Sequence, residues 1–258
     1  MQKTLLVCSR STRHFLPEFE NVHVVTGAAT KETLDMMGTE PEVVAIGGGA
    51  VIDTAKIICS GPITCYPTTA AGSSNTSHSV CWDGVKKLSV KRHVPNRVIV
   101  VPEYVKNLPE EVREFTTYDV ISHCLDSIWS KKKTKESEMY AHMALSILRE
   151  DYSNAELVEA GNYGGMAIER CSTTILHAMS YPLTAFYKIP HGKALGFLLP
   201  RVCQYYDFDL GSLIDYQPVA LEGVDWDFVC EESLKYDKIH NTTKPVNFEI
   251  LKKIIEKI

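Results

Sequence analysis

Apolar and polar positions change their rhythm near residue 107. Before it, short runs rich in β-branched residues read as strands: TLLVC (4–8), VHVVT (22–26), EVVAI (42–46), ITCYP (63–67) and RVIVV (97–101). Between them, residues 28–38 and 50–59 carry helical spacing. Such alternation predicts parallel strands with covering helices. From Leu108 onward apolar residues recur at helical intervals, in LPEEVREFTTYDVISHCLDSIWS (108–130), in 136–150 and in 156–180. The tail NFEILKKIIEKI (247–258) predicts an amphipathic helix with Ile250, Leu251, Ile254, Ile255 and Ile258 on one side. The pattern therefore predicts an α/β domain over 1–107 and an all-α domain over 108–258. A cleft between two such domains is a common place for a ligand.

Composition narrows the function classes. A chain of 258 residues, 45% hydrophobic, can bury a sizeable core. A net charge of −5 with 23% charged residues gives no field that would draw nucleic acid or an anionic membrane. No apolar run approaches the ~20 residues that span a bilayer. The start, MQKTLLVCSRSTRH, holds an apolar stretch shorter than the ~7–15 residues of a secretory core. A soluble, cytoplasmic chain is expected. Cys8, Cys59, Cys65, Cys81, Cys124, Cys171, Cys203 and Cys230 include no CxxC pair, so small buried hydrophobes are expected rather than a metal ribbon or disulfide framework.

Four segments carry candidate chemistry. GGGAVIDTAK (47–56) follows a strand and opens a helix, where glycines and free N–H groups can meet a pyrophosphate, although a ligand-free tight turn reads equally well. Asp53 there either favours the helix dipole or hydrogen-bonds a ribose or nicotinamide amide. PTTAAGSSNTSHS (67–79) follows the next strand and packs hydroxyl residues around Gly72; a polar surface loop is the alternative. Both loops would open on one edge of a parallel sheet. Asp119 and His123 are four apart and share one helix face, while His177 and His191 lie fourteen apart. Together these four supply O and N ligands suited to Fe²⁺ or Zn²⁺, with structural histidines as the competing reading. His14, His23, His93, His142 and His240 have no partner at ligand spacing, and His78 reads as solvated.

Taken in order, these segments resemble the iron-containing (group III) alcohol dehydrogenase family. GGGAVIDTAK is similar to that family's GGGSxxDxxK, and PTTAAGSSNTS to PTTxGTGSEVT. DVISHCLD (119–126) resembles DALTHAIE, and HAMSYPLTAFYKIPHG (177–192) resembles HxMAHxLGAxYxxPHG. Order and spacing agree over residues 3 to about 205. The resemblance implies a dinucleotide-binding parallel-sheet domain followed by a helical metal-binding domain, a dehydroquinate synthase-like architecture. It implies metal ligation by Asp119, His123, His177 and His191. It implies dinucleotide contacts by Gly48, Gly49, Ala50 and Asp53, then Thr68, Thr69, Gly72 and Ser77, with Lys87 near the family lysine that meets the cofactor ribose. The implied activity is that of a metal-dependent, NAD(P)(H)-linked dehydrogenase or reductase of a small alcohol or aldehyde.

Departures from the pattern sharpen these expectations. The second histidine of HxxxH is Tyr181 here, so proton transfer falls to that phenol, to water or to the cofactor ribose; an aromatic that merely lines the pocket is the equal alternative for Tyr181. The GTGSE portion is altered, and the chain is much shorter than typical members, so a homodimer or larger assembly is expected to cover apolar faces. Ser9 stands where the family often has an aspartate that repels a 2′-phosphate. With Arg10 and Arg13 beside it, NADP(H) is favoured over NAD(H). Competing readings are a phosphorylated-sugar or polyol-phosphate enzyme on the same scaffold, and a non-catalytic cofactor or metal binder.

Overall fold

A computed structural model describes residues 4–149, 151–214 and 216–256. The strands are β1 (Leu5–Ser9), β2 (Val22–Val25), β3 (Val43–Gly47), β4 (Ile63–Pro67), β5 (His78–Asp83), β6 (Lys86–Lys91) and β7 (Arg97–Val98). The helices are α1 (Gly49–Ile58), α2 (Pro102–Val105), α3 (Glu110–Trp129), α4 (Lys135–Leu148), α5 (Asn154–Cys171), α6 (Ile175–Tyr187), α7 (His191–Tyr205), α8 (Trp226–Ser233) and α9 (Phe248–Glu256). The chain forms two compact units. One comprises Met1–Arg113 with Ser153–Gly165, and the other Glu114–Tyr152 with Met166–Ile258.

In the first unit all five predicted strands join one parallel sheet, in the order β2-β1-β3-β4-β7. The central strands are buried on both faces, which is why they read as unbroken apolar runs rather than alternating ones. Leu5, Val7, Val43, Ala45, Ile63 and Cys65 pack on one face with Val51, Ile52, Ala55 and Ile58 of α1. Leu6, Cys8 and Ile46 pack on the other with Phe15, Phe19, Tyr66 and Tyr104. The β5–β6 hairpin forms its own antiparallel pair, turning at Gly84 with φ +60°. The Asp83-Gly84 dipeptide between two alternating runs is its signal in the sequence. Residues 28–38 correspond to a 3₁₀ turn over Lys31–Met36 rather than an α-helix.

Stretch 153–165, helical by periodicity, belongs to the first unit because its glycines let α5 lie against the β4 loop. A Cβ on Gly161 would stand 2.3 Å from the Ala70 carbonyl oxygen, and one on Gly165 would stand 2.4 Å from that of Gly72. Gly72 itself has φ +70°. Close backbone contact therefore accounts for the glycine at 72, independently of any ligand.

The second unit is helical among its described residues. The run 156–180 is two helices, not one: Ser172 at φ +66° ends α5, and Thr174 precedes α6. Glycines also set how closely α7 meets α3, since a Cβ on Gly192 would stand 2.4 Å from the Phe115 carbonyl oxygen. In α9, Leu251, Ile254 and Ile255 are buried as the periodicity predicts, while Ile258 lies outside the described residues. All eight cysteines are buried and free. No helix among the described residues is long and apolar enough to cross a membrane.

Candidate functional site

In the second unit three helices deliver side chains to one point. Asp119 and His123 share a face of α3, His177 lies in the first turn of α6, and His191 is the first residue of α7. Asp119 Oδ1 is 3.4 Å from His123 Nε2, 3.3 Å from His177 Nε2 and 3.7 Å from His191 Nε2. Donor atoms of Asp119, His177 and His191 all lie within 4.8 Å of one another. His123 is not in that mutually close set; it touches Asp119 and stacks on His177, with ring centroids 4.6 Å apart.

Partners behind the rings fix their direction. His177 Nδ1 is 2.8 Å from Asp126 Oδ2. Asp126 also accepts from the Thr174 hydroxyl at 2.5 Å and from the backbone N–H groups of Leu176 and His177, so it caps the start of α6. Asp126 follows His123 by three residues and Asp119 by seven, which puts all three on one face of α3. The sequence reading passed over it, although DVISHCLD carries the spacing. Behind His191, the Ser180 hydroxyl donates to the His177 carbonyl at 2.9 Å and lies 3.4 Å from His191 Nδ1, where it can accept. Both arrangements turn Nε2 toward Asp119.

Electrostatics follow from burial and these contacts. Burial works to raise the Asp119 carboxyl, but the three histidines outweigh it and hold the group well below the usual carboxylate range. Burial dominates at His123 and pushes it down to about 4, despite Asp119. At His177 burial pulls downward, yet hydrogen bonds to Asp119 and Asp126 lift it to about 9. Burial tends to raise Asp126 too, and is overcome by His177 and Thr174. A carboxylate ringed by imidazole nitrogens, two of them backed by fixed partners, is a donor set that fits divalent iron or zinc. The buried His123 Nδ1 has no hydrogen-bond partner.

Tyr181 follows His177 by one turn on α6 and is buried. Its ring stacks on that of His191, centroids 6.3 Å apart, and meets Tyr236 edge-on at 5.1 Å. Its hydroxyl accepts a hydrogen bond from Lys238 Nζ at 3.2 Å. Lys238, sixty residues or so downstream, gave no signal in the sequence.

In the first unit, β3 and β4 are parallel neighbours, so the two glycine- and hydroxyl-rich loops leave the same sheet edge. Gly48 precedes α1, whose first residues are Gly49 and Ala50. A Cβ on Gly48 would stand 3.0 Å from the Thr69 hydroxyl, and the Thr68 N–H bonds the Gly47 carbonyl at 3.0 Å. Asp53 accepts from the Ser73 hydroxyl at 2.5 Å and pairs with Lys56 at 3.1 Å. The fully buried Lys56 donates to the carbonyls of Ser73 (2.9 Å), Thr76 (3.3 Å) and His78 (2.6 Å). It thus holds the whole loop that contains Ser77, a role the sequence reading did not give it. Lys87 lies elsewhere, on β6 opposite Trp82.

At the end of β1, the Ser9 hydroxyl meets those of Ser11 and Thr12, each at 2.9 Å. Arg10 is exposed. Arg13 is committed instead to the carbonyls of Leu16 (2.6 Å) and Phe19 (2.7 Å), where it ties down the chain after β1.

Residues 115–209 match the model of the Fe-containing alcohol dehydrogenase family, C-terminal part. The chain is 24% identical over 237 residues to a 4-hydroxybutyrate dehydrogenase of Clostridium kluyveri, covering 76% of this chain and 62% of that protein. It is 26% identical over 199 residues to an NAD-dependent methanol dehydrogenase of Bacillus methanolicus, covering 63% and 52%. It thus spans about half to three-fifths of the length of these curated relatives. Its fold is similar to a crystal structure of an iron-containing alcohol dehydrogenase of Thermotoga maritima, with a TM-score of 0.81, 22% identity, and 99% and 91% of the two chains covered. The parallel sheet and the helical unit have the fold of the iron-containing dehydrogenases, and residues 115–209 carry the sequence pattern of that family's C-terminal part.

Proposed function

We propose that this chain is a metal-dependent, NAD(P)(H)-linked alcohol dehydrogenase or aldehyde reductase of small substrates. The observation that carries the reading is the convergence of His123, His177 and His191 on Asp119. These four residues would hold the divalent metal, and Asp126 would keep His177 in the tautomer that offers Nε2. When bound, the metal polarises the substrate oxygen and the nicotinamide exchanges the hydride. The balance is aldehyde + NAD(P)H + H⁺ giving alcohol + NAD(P)⁺. The Tyr181 hydroxyl, which accepts a hydrogen bond from Lys238, would exchange that proton.

Gly48, Gly49, Ala50, Asp53, Thr68, Thr69, Gly72 and Ser77 form the two loops proposed to meet the dinucleotide, with the start of α1 facing its phosphates. NADP(H) is the favoured form, because no carboxylate stands at Ser9 and the exposed Arg10 follows it. Arg13 drops out of that argument, being bonded to two carbonyls.

The test is turnover by protein loaded with ferrous iron or zinc, supplied with a short aldehyde and either NADPH or NADH. Turnover is expected, with a higher kcat/KM for NADPH, and His191→Ala is expected to lose bound metal and activity together. Full metal content with full turnover in that variant would overturn the ligand assignment. A higher kcat/KM for NADH would overturn the cofactor preference.

A further inference from the structure

Lys238 brings a positive charge to the edge of the histidine cluster, and the described residues do not neutralise it. The residue lies in the 3₁₀ turn Asp237–Asn241, which packs on α6, and its side chain is half-buried. Its Nζ donates to the Tyr181 hydroxyl at 3.2 Å and stands 5.5 Å from the centre of that ring. Its charge also reaches His123 and helps to push that imidazole down. No carboxylate among the described residues lies within 4.0 Å of the ammonium. Glu232, the acid whose charge reaches the neighbouring Tyr236, is paired with Lys235.

A charge count makes this placement informative. Asp119 and Asp126 contribute two negative charges, which a divalent cation on the cluster would balance. Among the described residues Lys238 is then one positive charge in excess, held near another cation in a partly dehydrated place, and that arrangement is unfavourable by Coulomb's law. If the only task were to orient the Tyr181 hydroxyl, a neutral amide donor would do it without the repulsion. The excess charge is satisfied if an anion enters with the substrate.

We propose that Lys238 receives the anionic end of the substrate, which is a short aldehyde or alcohol carrying a carboxylate, phosphonate or sulfonate on its far carbon. This inference rests on the oxidoreductase reading above. The anionic group is unchanged in the reaction, and only the carbonyl end is reduced.

The test compares 4-oxobutanoate with butanal on the zinc-loaded protein, the two differing chiefly in the terminal charge. The wild type is expected to favour 4-oxobutanoate in kcat/KM by about 10- to 100-fold, the range of a charge-assisted hydrogen bond, mostly through KM. Lys238→Met is expected to bring that ratio close to one whatever the absolute rates, and Lys238→Arg to preserve most of it. A ratio near one in the wild type, or an unaltered ratio in Lys238→Met, overturns the proposal. Calorimetric titration of 4-hydroxybutyrate and 1-butanol, with zinc and without it, supplies a readout that needs no turnover. Carboxylate binding that disappears in Lys238→Met supports the anion site even if no aldehyde is reduced, an outcome that would sink the oxidoreductase reading alone. Equal carboxylate binding by wild type and variant removes the site.

Discussion

His177 Nδ1 lies 2.8 Å from Asp126 Oδ2, and the same carboxylate accepts the backbone N–H of His177. One side chain thus aims the imidazole and fixes the start of the helix that carries it. Asp126→Asn keeps the shape but offers one acceptor oxygen where two are used. Metal affinity is expected to fall roughly 10- to 100-fold, as for other partners behind a metal-bound histidine. Chelator competition measures this, and an unchanged affinity would mean that Asp126 serves only as a helix cap.

The pH dependence of metal uptake has a definite sign. His177 in the metal-free protein holds its proton up to about pH 9, and ligation requires that Nε2 be free. Apparent affinity should therefore rise with pH, by up to about tenfold per unit, and level off near pH 9. Binding at pH 7.5 should release about one proton, readable as the buffer dependence of the calorimetric enthalpy. The stability of the metal-free protein carries the same two imidazoles. His177 is raised, so its contribution is complete below its ordinary value of 6.5 and is lost as pH climbs through about 9. His123 is lowered, so its contribution is complete above 6.5 and is lost as pH falls toward about 4. Thermal midpoints of metal-free protein should fall away on both sides of pH 6.5, and the alkaline arm should vanish in His177→Gln.

Lys56→Met tests the loop that carries Ser73 to His78. The variant leaves Asp53 without its cation and several carbonyls without a donor, a loss of about 3–5 kcal/mol for a buried pair broken on one side. Dinucleotide affinity should drop at least tenfold, while bound metal stays near wild type because the ligands lie in other elements. Fluorescence titration with NADPH and metal analysis separate the two. Unaltered dinucleotide affinity would show that the loop does not meet the cofactor.

Gly161→Ala sets two effects of opposite sign against each other. Alanine favours a helix over glycine by about 1 kcal/mol. The added Cβ, however, would stand 2.3 Å from the Ala70 carbonyl oxygen and 2.7 Å from its carbon, and backbone cannot yield as a side-chain tip can. Overpacking of this kind costs about 1–3 kcal/mol or more, so the clash wins. The midpoint of urea unfolding should fall. A more stable variant would show that α5 does not lie so close to the β4 loop.

Much of this protein was determined by its sequence. The central strands of the parallel sheet were legible because they are buried on both faces, which leaves a nearly unbroken apolar run, and the edge strands β2 and β7 through their β-branched residues. The Asp119–His123 pair was legible because four residues make about one helical turn, and the same rule would have exposed Asp126 three residues further on. The break at Ser172–Thr174 was hidden because apolar residues keep helical spacing on both sides of it, while the break itself depends on one left-handed backbone angle and a carboxylate from α3.

Tertiary structure alone decided the rest. Periodicity says which side chains share a face, but not which faces meet, and no spacing rule links Tyr181 to Lys238 across 57 positions. Lys56 stood inside a recognisable motif, yet only the folded β4 loop shows its ammonium spent on that loop's carbonyls. Arg13 looked available for a phosphate until the chain after β1 turned back and claimed it. Gly72 read only as a glycine within a hydroxyl-rich loop, and the packed structure sets Gly161 and Gly165 of α5 against it. In each case the sequence fixes what a side chain can donate or accept, and packing over long separations chooses the partner, because only the fold brings distant groups within the 3 Å or so that a hydrogen bond requires.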